Sequence, residues 1–173
     1  MPNKKHYILT SVTLGLIGAA SALLIGVSNM ITKERIAQNE INKINSGIAE
    51  IFGNSSSIAN EADLAYEYAN HVYEIKVDEP VGYAFKTSGS NMYGKVSLIV
   101  GFNLDKQFKQ MVVVTNEQTY AQALTDNYIN PLNNGSKDNI DDVSCGATYG
   151  AKLVRDMVNE AKEAAKALYT EEK

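Results

Sequence analysis

The sequence predicts an α+β fold behind an N-terminal membrane helix, and three observations carry this prediction. An uncharged, apolar stretch lies near the start of the chain, at residues 7–32. Short segments of alternating or β-branched residues follow between residues 71 and 117, separated by polar turns. A segment with helical periodicity comes last, from Tyr149 to about Tyr169. Strands joined by hairpins form an antiparallel sheet, and the last helix can cover one face of that sheet.

The composition indicates one modest domain with appendages, and it argues against several classes of function. The chain has 173 residues and a net charge of −4, whereas nucleic-acid binding needs a basic surface. We therefore expect no nucleic-acid partner. The single cysteine cannot form an internal disulfide, and no cluster of cysteines and histidines indicates a zinc or iron–sulfur site.

The apolar stretch from Tyr7 to Thr32 is long enough to be a transmembrane anchor. As a helix it spans about 39 Å at about 1.5 Å per residue, more than a hydrocarbon core of about 30 Å. The sequence Ala20-Ser21-Ala22 resembles a signal-peptide cleavage site, but the apolar run continues to Val27. We therefore expect an uncleaved anchor within residues 1–32. Two Lys or Arg residues flank the stretch on each side, so charge does not decide its orientation.

Small residues recur every four positions within the anchor, at Gly18, Ala22 and Gly26. Residues of this kind and spacing form a flat stripe on which another transmembrane helix can pack. Glycine and alanine are also common in membrane helices generally. The stripe slightly favours a partner in the membrane.

An amphipathic stalk helix with its linker is predicted to follow the anchor, over residues 33–57. Its apolar stripe consists of isoleucines at helical spacing, Ile41, Ile44, Ile48 and Ile51. Gly53 and the polar residues after it end the helix.

The domain itself is predicted over residues 58–173. Its first segment, residues 58–72, is ambiguous between a short helix and a loop. A helix is expected around Tyr120 to Asn127, ending in a loop marked by Pro131. The predicted strands are residues 71–77, Val81 to Gly89, Tyr93 to Asn103 and Phe108 to Glu117.

The turn before the last helix is the candidate functional site. It reads DVSCGAT and ends at Thr148. Unpaired N–H groups and the positive end of the macrodipole favour anions at a helix N-terminus, and Gly146 lets another group approach the backbone. Thr148 has two interpretations. Its hydroxyl can cap the helix, or it can carry a phosphate-linked group held at the helix N-terminus.

The segment Asp142 to Thr148 resembles the D-x-x-(S/T)-G-A-T motif of the FMN-binding domain family found in RnfG and NqrC subunits. Cys145 replaces the usual Ser or Thr, and Gly150 stands where these domains often have Thr or Ser. The resemblance implies that FMN is joined to Thr148 by a phosphoester bond, which a flavin transferase makes with FAD as donor. The residues implied for the cofactor site are Thr148, Asp142, Ser144, Cys145, Gly146, Ala147, Tyr149, Glu117 and Thr119.

The resemblance covers most of the chain. The end of the anchor, Met30 to Ile36, and the segments Gly82 to Phe85 and Met92 to Asn103 look like their counterparts in the family. Asn116 to Leu124 stands where the family usually has an E-T-P-G segment beside the flavin. The match to that segment is limited to Thr119 and one residue before it, Glu117 or Gln118.

In length and layout the chain is most similar to the RnfG subunits. The resemblance implies a membrane-anchored flavoprotein electron carrier within an ion-translocating ferredoxin:NAD+ oxidoreductase (Rnf) complex, an electron-transfer subunit rather than a complete enzyme. Other membrane subunits and a flavin transferase are the implied partners. Residues 1–6 are expected in the cytoplasm and the FMN domain outside it. An NqrC-like subunit, a stand-alone extracytoplasmic FMN protein and a flavin-free membrane-anchored interaction module stay open as alternatives.

Neither a catalytic residue nor a metal site is expected. Cys145 would need a histidine base to act as a nucleophile, and only His6 and His71 are available. Two adjacent acidic residues, Asp141 and Asp142, are weak evidence for a metal ion. Aromatic rings can stack on a flavin, and four tyrosines lie in segments that could surround one, Tyr83, Tyr93, Tyr120 and Tyr149.

Overall fold

The first helix, α1, runs from Lys4 to Phe52. The computed structural model describes residues 4–136 and 139–168. Within α1, Tyr7–Met30 is long and apolar enough to cross a membrane, with a mean hydropathy of 2.1 and no buried residue. This is the one such helix in the described part of the chain, and signal sequences near an N-terminus share these properties. Of the predicted cytoplasmic residues 1–6, residues 1–3 lie outside the described ranges.

The chain divides into two compact units between Asn42 and Lys43. The described part of the first unit is helical throughout, and the second unit contains the sheet and the remaining helices. The predicted domain boundaries, 1–32, 33–57 and 58–173, stay a prediction.

Five antiparallel strands form one open sheet in the order β1-β2-β3-β4-β5. The strands are β1 Ser57–Asp63, β2 Ala69–Lys76, β3 Pro80–Asn91, β4 Gly94–Asn103 and β5 Phe108–Asn116. Each strand pairs with its neighbours in sequence because short turns connect them. The predicted α+β class with an antiparallel sheet is confirmed.

Strand β1 corrects the prediction of a short helix or a loop for the segment that begins at Ile58. This strand lies at the edge of the sheet and pairs only with β2. Most of its side chains are exposed, so the alternation of buried and exposed residues that identifies a strand is weak there.

The sheet of the second unit is covered on both faces. On one face, helix α4, Thr148–Ala167, buries Val154, Met157 and Ala161 in a cluster that includes Phe85 and Phe102 of the sheet. On the other face, the end of α1 buries three isoleucines of the predicted stalk. They form a second cluster whose members are Ile44, Ile48, Ile51, Tyr73, Ile75, Ala84, Ile99 and Val114. The sequence predicted a covering helix for one face only, whereas the last turns of the predicted stalk supply the other.

A helical segment with a widened turn in the middle follows β5. It consists of α2, Ala121–Leu124, a π-helical turn, Thr125–Ile129, and α3, Asn130–Asn133. The prediction that Pro131 lies in a loop is wrong, because Pro131 lies in the first turn of α3. A proline is tolerated there because it directly follows the π-helical turn, where the regular hydrogen-bond ladder that a proline interrupts is already altered. For the last helix, the predicted end near Tyr169 lies outside the described residues.

Candidate functional site

The turn that leads into α4 is fixed by hydrogen bonds at both of its ends. Asp142 accepts a hydrogen bond through Oδ1 from the backbone N–H of Ser144, at 3.2 Å. Asn127 donates through Nδ2 to the carbonyl oxygen of Cys145, at 3.1 Å. Cys145 and Ala147 are buried, while Ser144 is exposed. The turn therefore attaches to the domain through its small buried residues and presents the residues between them to solvent.

Gly146 adopts a conformation that other residues rarely take. Its φ angle is +79°, and a Cβ atom built there would meet no heavy atom within 4 Å. The backbone conformation, rather than a close neighbour, therefore requires glycine. The space in front of Gly146 is free of the described atoms.

Thr148 is the first residue of α4 and is exposed. The N-cap residue is Ala147, with φ −128° and ψ 46°, and no side chain caps the helix. The first helical hydrogen bond runs from Ala151 N–H to the carbonyl oxygen of Ala147, at 2.9 Å. The backbone N–H groups of residues 148–150 therefore have no acceptor within the helix. The interpretation of Thr148 as the N-cap is wrong, and its hydroxyl is not used for capping.

A cleft of about 240 Å³ opens beside Thr148. Three segments form its walls: the β3–β4 turn, the segment after β5 and the start of α4. The lining residues are Tyr93, Gln118, Tyr120, Gly146, Ala147, Thr148, Tyr149 and Gly150. Such a cleft combines aromatic surface with the polar N-terminus of a helix.

The aromatic wall of the cleft contains a pair of tyrosines from different segments. The ring centroids of Tyr93 and Tyr149 lie 5.4 Å apart, and the ring planes make an angle of 33°. Lys152 places Nζ 5.7 Å from the centroid of the Tyr149 ring. Tyr149 is 60% exposed and Tyr120 is 59% exposed, so both rings offer surface to a ligand.

Some of the predicted cofactor residues line this cleft and others do not. Gly146, Ala147, Thr148 and Tyr149 line it. The others, Asp142, Ser144, Cys145, Glu117 and Thr119, are not among the described lining residues. Asp142, Ser144 and Cys145 belong to the turn that carries Thr148.

The two predicted residues after β5 flank the cleft. Thr119 donates from its backbone N–H to the carbonyl oxygen of Tyr93, at 2.9 Å. Glu117 is exposed, and its N–H donates to the carbonyl oxygen of Lys95 at 2.8 Å. Of the four candidate tyrosines, Tyr83 alone lies elsewhere, in a shallow depression beside Leu168.

Two amide side chains at the cleft were not predicted as site residues, Asn91 and Gln118. Gln118 is 6% exposed and donates through Nε2 to Asn91 Oδ1, at 3.1 Å, and to the carbonyl oxygen of Gly94. Asn91 donates through Nδ2 to the carbonyl oxygen of Tyr149, at 3.2 Å. The resemblance implied Gln118 only as an alternative to Glu117. No motif or spacing in the sequence indicated Asn91.

His71 is engaged by acidic residues at the edge of the sheet. His71 bonds through Nδ1 to Asp63 Oδ1, at 2.6 Å, and lies 3.6 Å from Glu61 on the β1–β2 edge. The described polar contacts of the His71 ring are therefore with these two acidic residues and not with Cys145. No group of three or more His, Cys, Asp or Glu residues among those described could hold a metal ion.

Comparisons with known proteins leave the family of this chain open. No protein-family model matches the sequence, and the comparison with curated proteins found no significant match.

Proposed function

We propose that this chain is a membrane-anchored flavoprotein electron carrier of the RnfG type, with FMN joined to Thr148 by a phosphoester bond. The observation that carries the proposal is the position of Thr148. It is exposed, it does not cap its helix, and it lies at a cleft lined with tyrosines. An exposed threonine whose hydroxyl does not cap its helix, within a motif that resembles the family's attachment site, fits covalent modification.

The residues present fit FMN in two respects. Tyr93, Tyr120 and Tyr149 offer aromatic surface on which a planar ring system can stack. The open space at Gly146 leaves room beside Thr148 for a bulky substituent. The cleft volume of about 240 Å³ is below the roughly 300 Å³ typical of pockets for drug-sized ligands. The cleft therefore suits part of a flavin, with the attached phosphate at its rim.

The electrostatics of this region also favour a phosphate. The backbone N–H groups of residues 148–150 have no helical acceptor, and the helix dipole places its positive end there. Lys152 follows Thr148 by four residues, so both lie on the same side of α4. Its ammonium group adds positive charge one helical turn from the attachment point.

Attachment would use the Thr148 hydroxyl as the acceptor and FAD as the donor, with a flavin transferase as catalyst. The bond that forms joins Thr148 Oγ1 to the phosphorus of the FMN half. The bond that breaks is the pyrophosphate bond of FAD, so AMP leaves and the hydroxyl loses its proton. Bound FMN supplies the electron-transfer chemistry, and the protein supplies attachment, orientation and tuning of the potential.

The intact mass of the chain tests this proposal directly. Produced together with a flavin transferase, the wild-type chain should gain the mass of FMN less one water, and its flavin should stay with the denatured chain. Produced without the transferase, it should have the mass of the unmodified sequence. A chain that gains no mass beside an active transferase would contradict the carrier function and favour a flavin-free membrane-anchored interaction module.

The apolar part of α1 supports a function at a membrane. We propose that Tyr7–Met30 spans the cell membrane once, with residues 1–6 in the cytoplasm and the FMN domain outside, where covalent attachment prevents loss of the flavin. Protease added to spheroplasts should then digest the domain. Complete protection of the domain in intact spheroplasts, with digestion after lysis, would reverse the proposed orientation.

Within the membrane we propose other subunits of an Rnf-type ion-translocating ferredoxin:NAD+ oxidoreductase as partners. An NqrC-like role and a stand-alone extracytoplasmic FMN protein share the same chemistry, so the subunits that co-purify with the chain distinguish them.

A further inference from the structure

We propose that Asn91 and Gln118 are positioning residues that hold Tyr93 and Tyr149 together as one aromatic wall of the cleft. The ring pair is a property of the protein alone. The added inference that this wall orients the flavin ring rests on the function proposed above.

Gln118 fixes the β3–β4 turn to the segment after β5. Its side chain is almost fully buried, and Nε2 donates to Asn91 Oδ1 and to the carbonyl oxygen of Gly94. Both acceptors belong to the ends of the β3–β4 turn, which carries Tyr93. A buried amide that loses its partners is left unsatisfied at a cost in free energy, so the hydrogen bonds of Gln118 oppose opening of this turn.

Asn91 connects the same turn to the start of α4. Its Oδ1 accepts a hydrogen bond from the backbone N–H of Tyr93, at 2.8 Å. Its Nδ2 donates to the carbonyl oxygen of Tyr149, at 3.2 Å. One side chain therefore bonds the backbones of both residues whose rings form the pair.

Packing alone restrains the Tyr149 ring weakly, because 60% of this residue is exposed. Tyr93 and Tyr149 lie on separate segments, and their ring contact at 5.4 Å depends on how those segments are held. The hydrogen bond from Asn91 to Tyr149 crosses between the two segments and joins residues 58 positions apart. We infer that losing this donor lets the exposed backbone at Tyr149 shift relative to the β3–β4 turn, which separates the rings, while the buried residues of α4 hold the rest of the helix.

The variant Asn91→Asp tests this inference with the smallest change. Aspartate keeps an acceptor for the Tyr93 N–H and the Gln118 amide but removes the donor to Tyr149. Asn133→Asp is the matched control. Asn133 likewise donates through Nδ2, to the Met111 carbonyl oxygen at 2.7 Å, and accepts through Oδ1 from the Met111 N–H at 2.9 Å. It loses a donor by the same substitution, but its side chain bonds to Met111 and to neither tyrosine of the pair.

The readout is the nuclear Overhauser effect between the rings of Tyr93 and Tyr149, measured on the full chain without flavin in detergent. We expect this signal to be lost in Asn91→Asp and kept in Asn133→Asp. A signal kept in Asn91→Asp, or lost equally in both variants, would overturn the positioning role. If Asn91→Asp does not fold, Asn91→Ala removes the donor to Tyr149 together with the Oδ1 acceptor of the Tyr93 N–H and the Gln118 amide. A ring signal kept in Asn91→Ala would overturn the positioning role of the whole side chain.

A second measurement separates this inference from the proposed function. In protein carrying covalent flavin, Asn91→Asp should leave the attached mass unchanged and alter the visible circular dichroism of the flavin, whereas Asn133→Asp should alter neither. An unchanged flavin spectrum despite lost ring contact would refute the role of the wall in orienting the flavin. A wild-type chain that never gains flavin would refute the proposed function, and the ring measurement would still decide the role of Asn91.

Discussion

Replacing Thr148 by valine is expected to abolish covalent flavin while the domain stays folded. Valine has nearly the shape of threonine but lacks the hydroxyl that would bond to phosphorus. The free energy of unfolding should change by no more than about 0.5 kcal/mol, the usual range for an exposed residue without a special role. Loss of an N-cap would cost about 1 kcal/mol, but the cap here is Ala147. Intact mass and urea unfolding in mild detergent provide the two measurements.

Three further variants test the specificity of this result. Thr148→Ser keeps a hydroxyl and should retain part of the modification. Cys145→Ser should still be modified, because serine is a usual residue at this position of the family's motif. Ser144→Ala removes the other exposed hydroxyl of the turn, so covalent flavin on this variant would exclude Ser144 as the attachment site. Covalent flavin on Thr148→Val would place the attachment site elsewhere in the chain.

The sheet was predictable from the sequence where strands are buried and turns are polar. In β4, seven consecutive residues from Val96 to Phe102 are buried, so its sequence is a continuous run of apolar and small residues. β1 is the opposite case. Most of its residues are exposed, so its sequence lacks the alternation of apolar and polar residues that indicates a strand. Pro131 was misleading for a different reason. It lies within a helical segment, directly after a π-helical turn, and the helix continues past it to Asn133.

The isoleucine stripe of α1 shows what periodicity can and cannot predict. Spacing indicates which residues share a face of a helix, but not where along the helix a partner surface begins. Ile41 is 51% exposed, whereas Ile48 is 2% exposed and packs with the sheet. Both residues looked equivalent in the sequence.

The candidate site was predictable only as far as it is local in sequence. The turn up to Thr148 and the adjacent Tyr149 form a continuous segment, so a short motif identifies them. Gln118 and Asn91 are separated by 27 residues, and their hydrogen bond depends on the pairing of strands between them. No pattern in a single sequence predicts that two ordinary amides meet beside a cleft.

The variant Gly94→Ala is expected to cause the largest loss of stability near the cleft. Gly94 has a φ angle of +133°, and a Cβ atom there would lie 2.6 Å from the carbonyl carbon of Glu117 and closer still to its oxygen. This contact is with backbone, so no side-chain rotation can relieve it. Backbone strain of about 1 to 3 kcal/mol adds to an overpacking cost of about 1 to 3 kcal/mol. We expect a loss of about 2 to 6 kcal/mol in the free energy of unfolding, measured with urea in mild detergent.

Gly53→Ala provides the control that separates the steric clash from the backbone conformation. Gly53 also has a positive φ angle, +102°, but a Cβ atom there would meet nothing within 4 Å. Its substitution should cost only the conformational strain, about 1 to 2 kcal/mol. The carbonyl oxygen of Gly94 accepts a hydrogen bond from the buried Gln118 amide, so displacing this turn also disturbs the cleft. Equal losses in the two variants would show that the β3–β4 turn moves freely away from Glu117, which contradicts a cleft held rigidly by that contact.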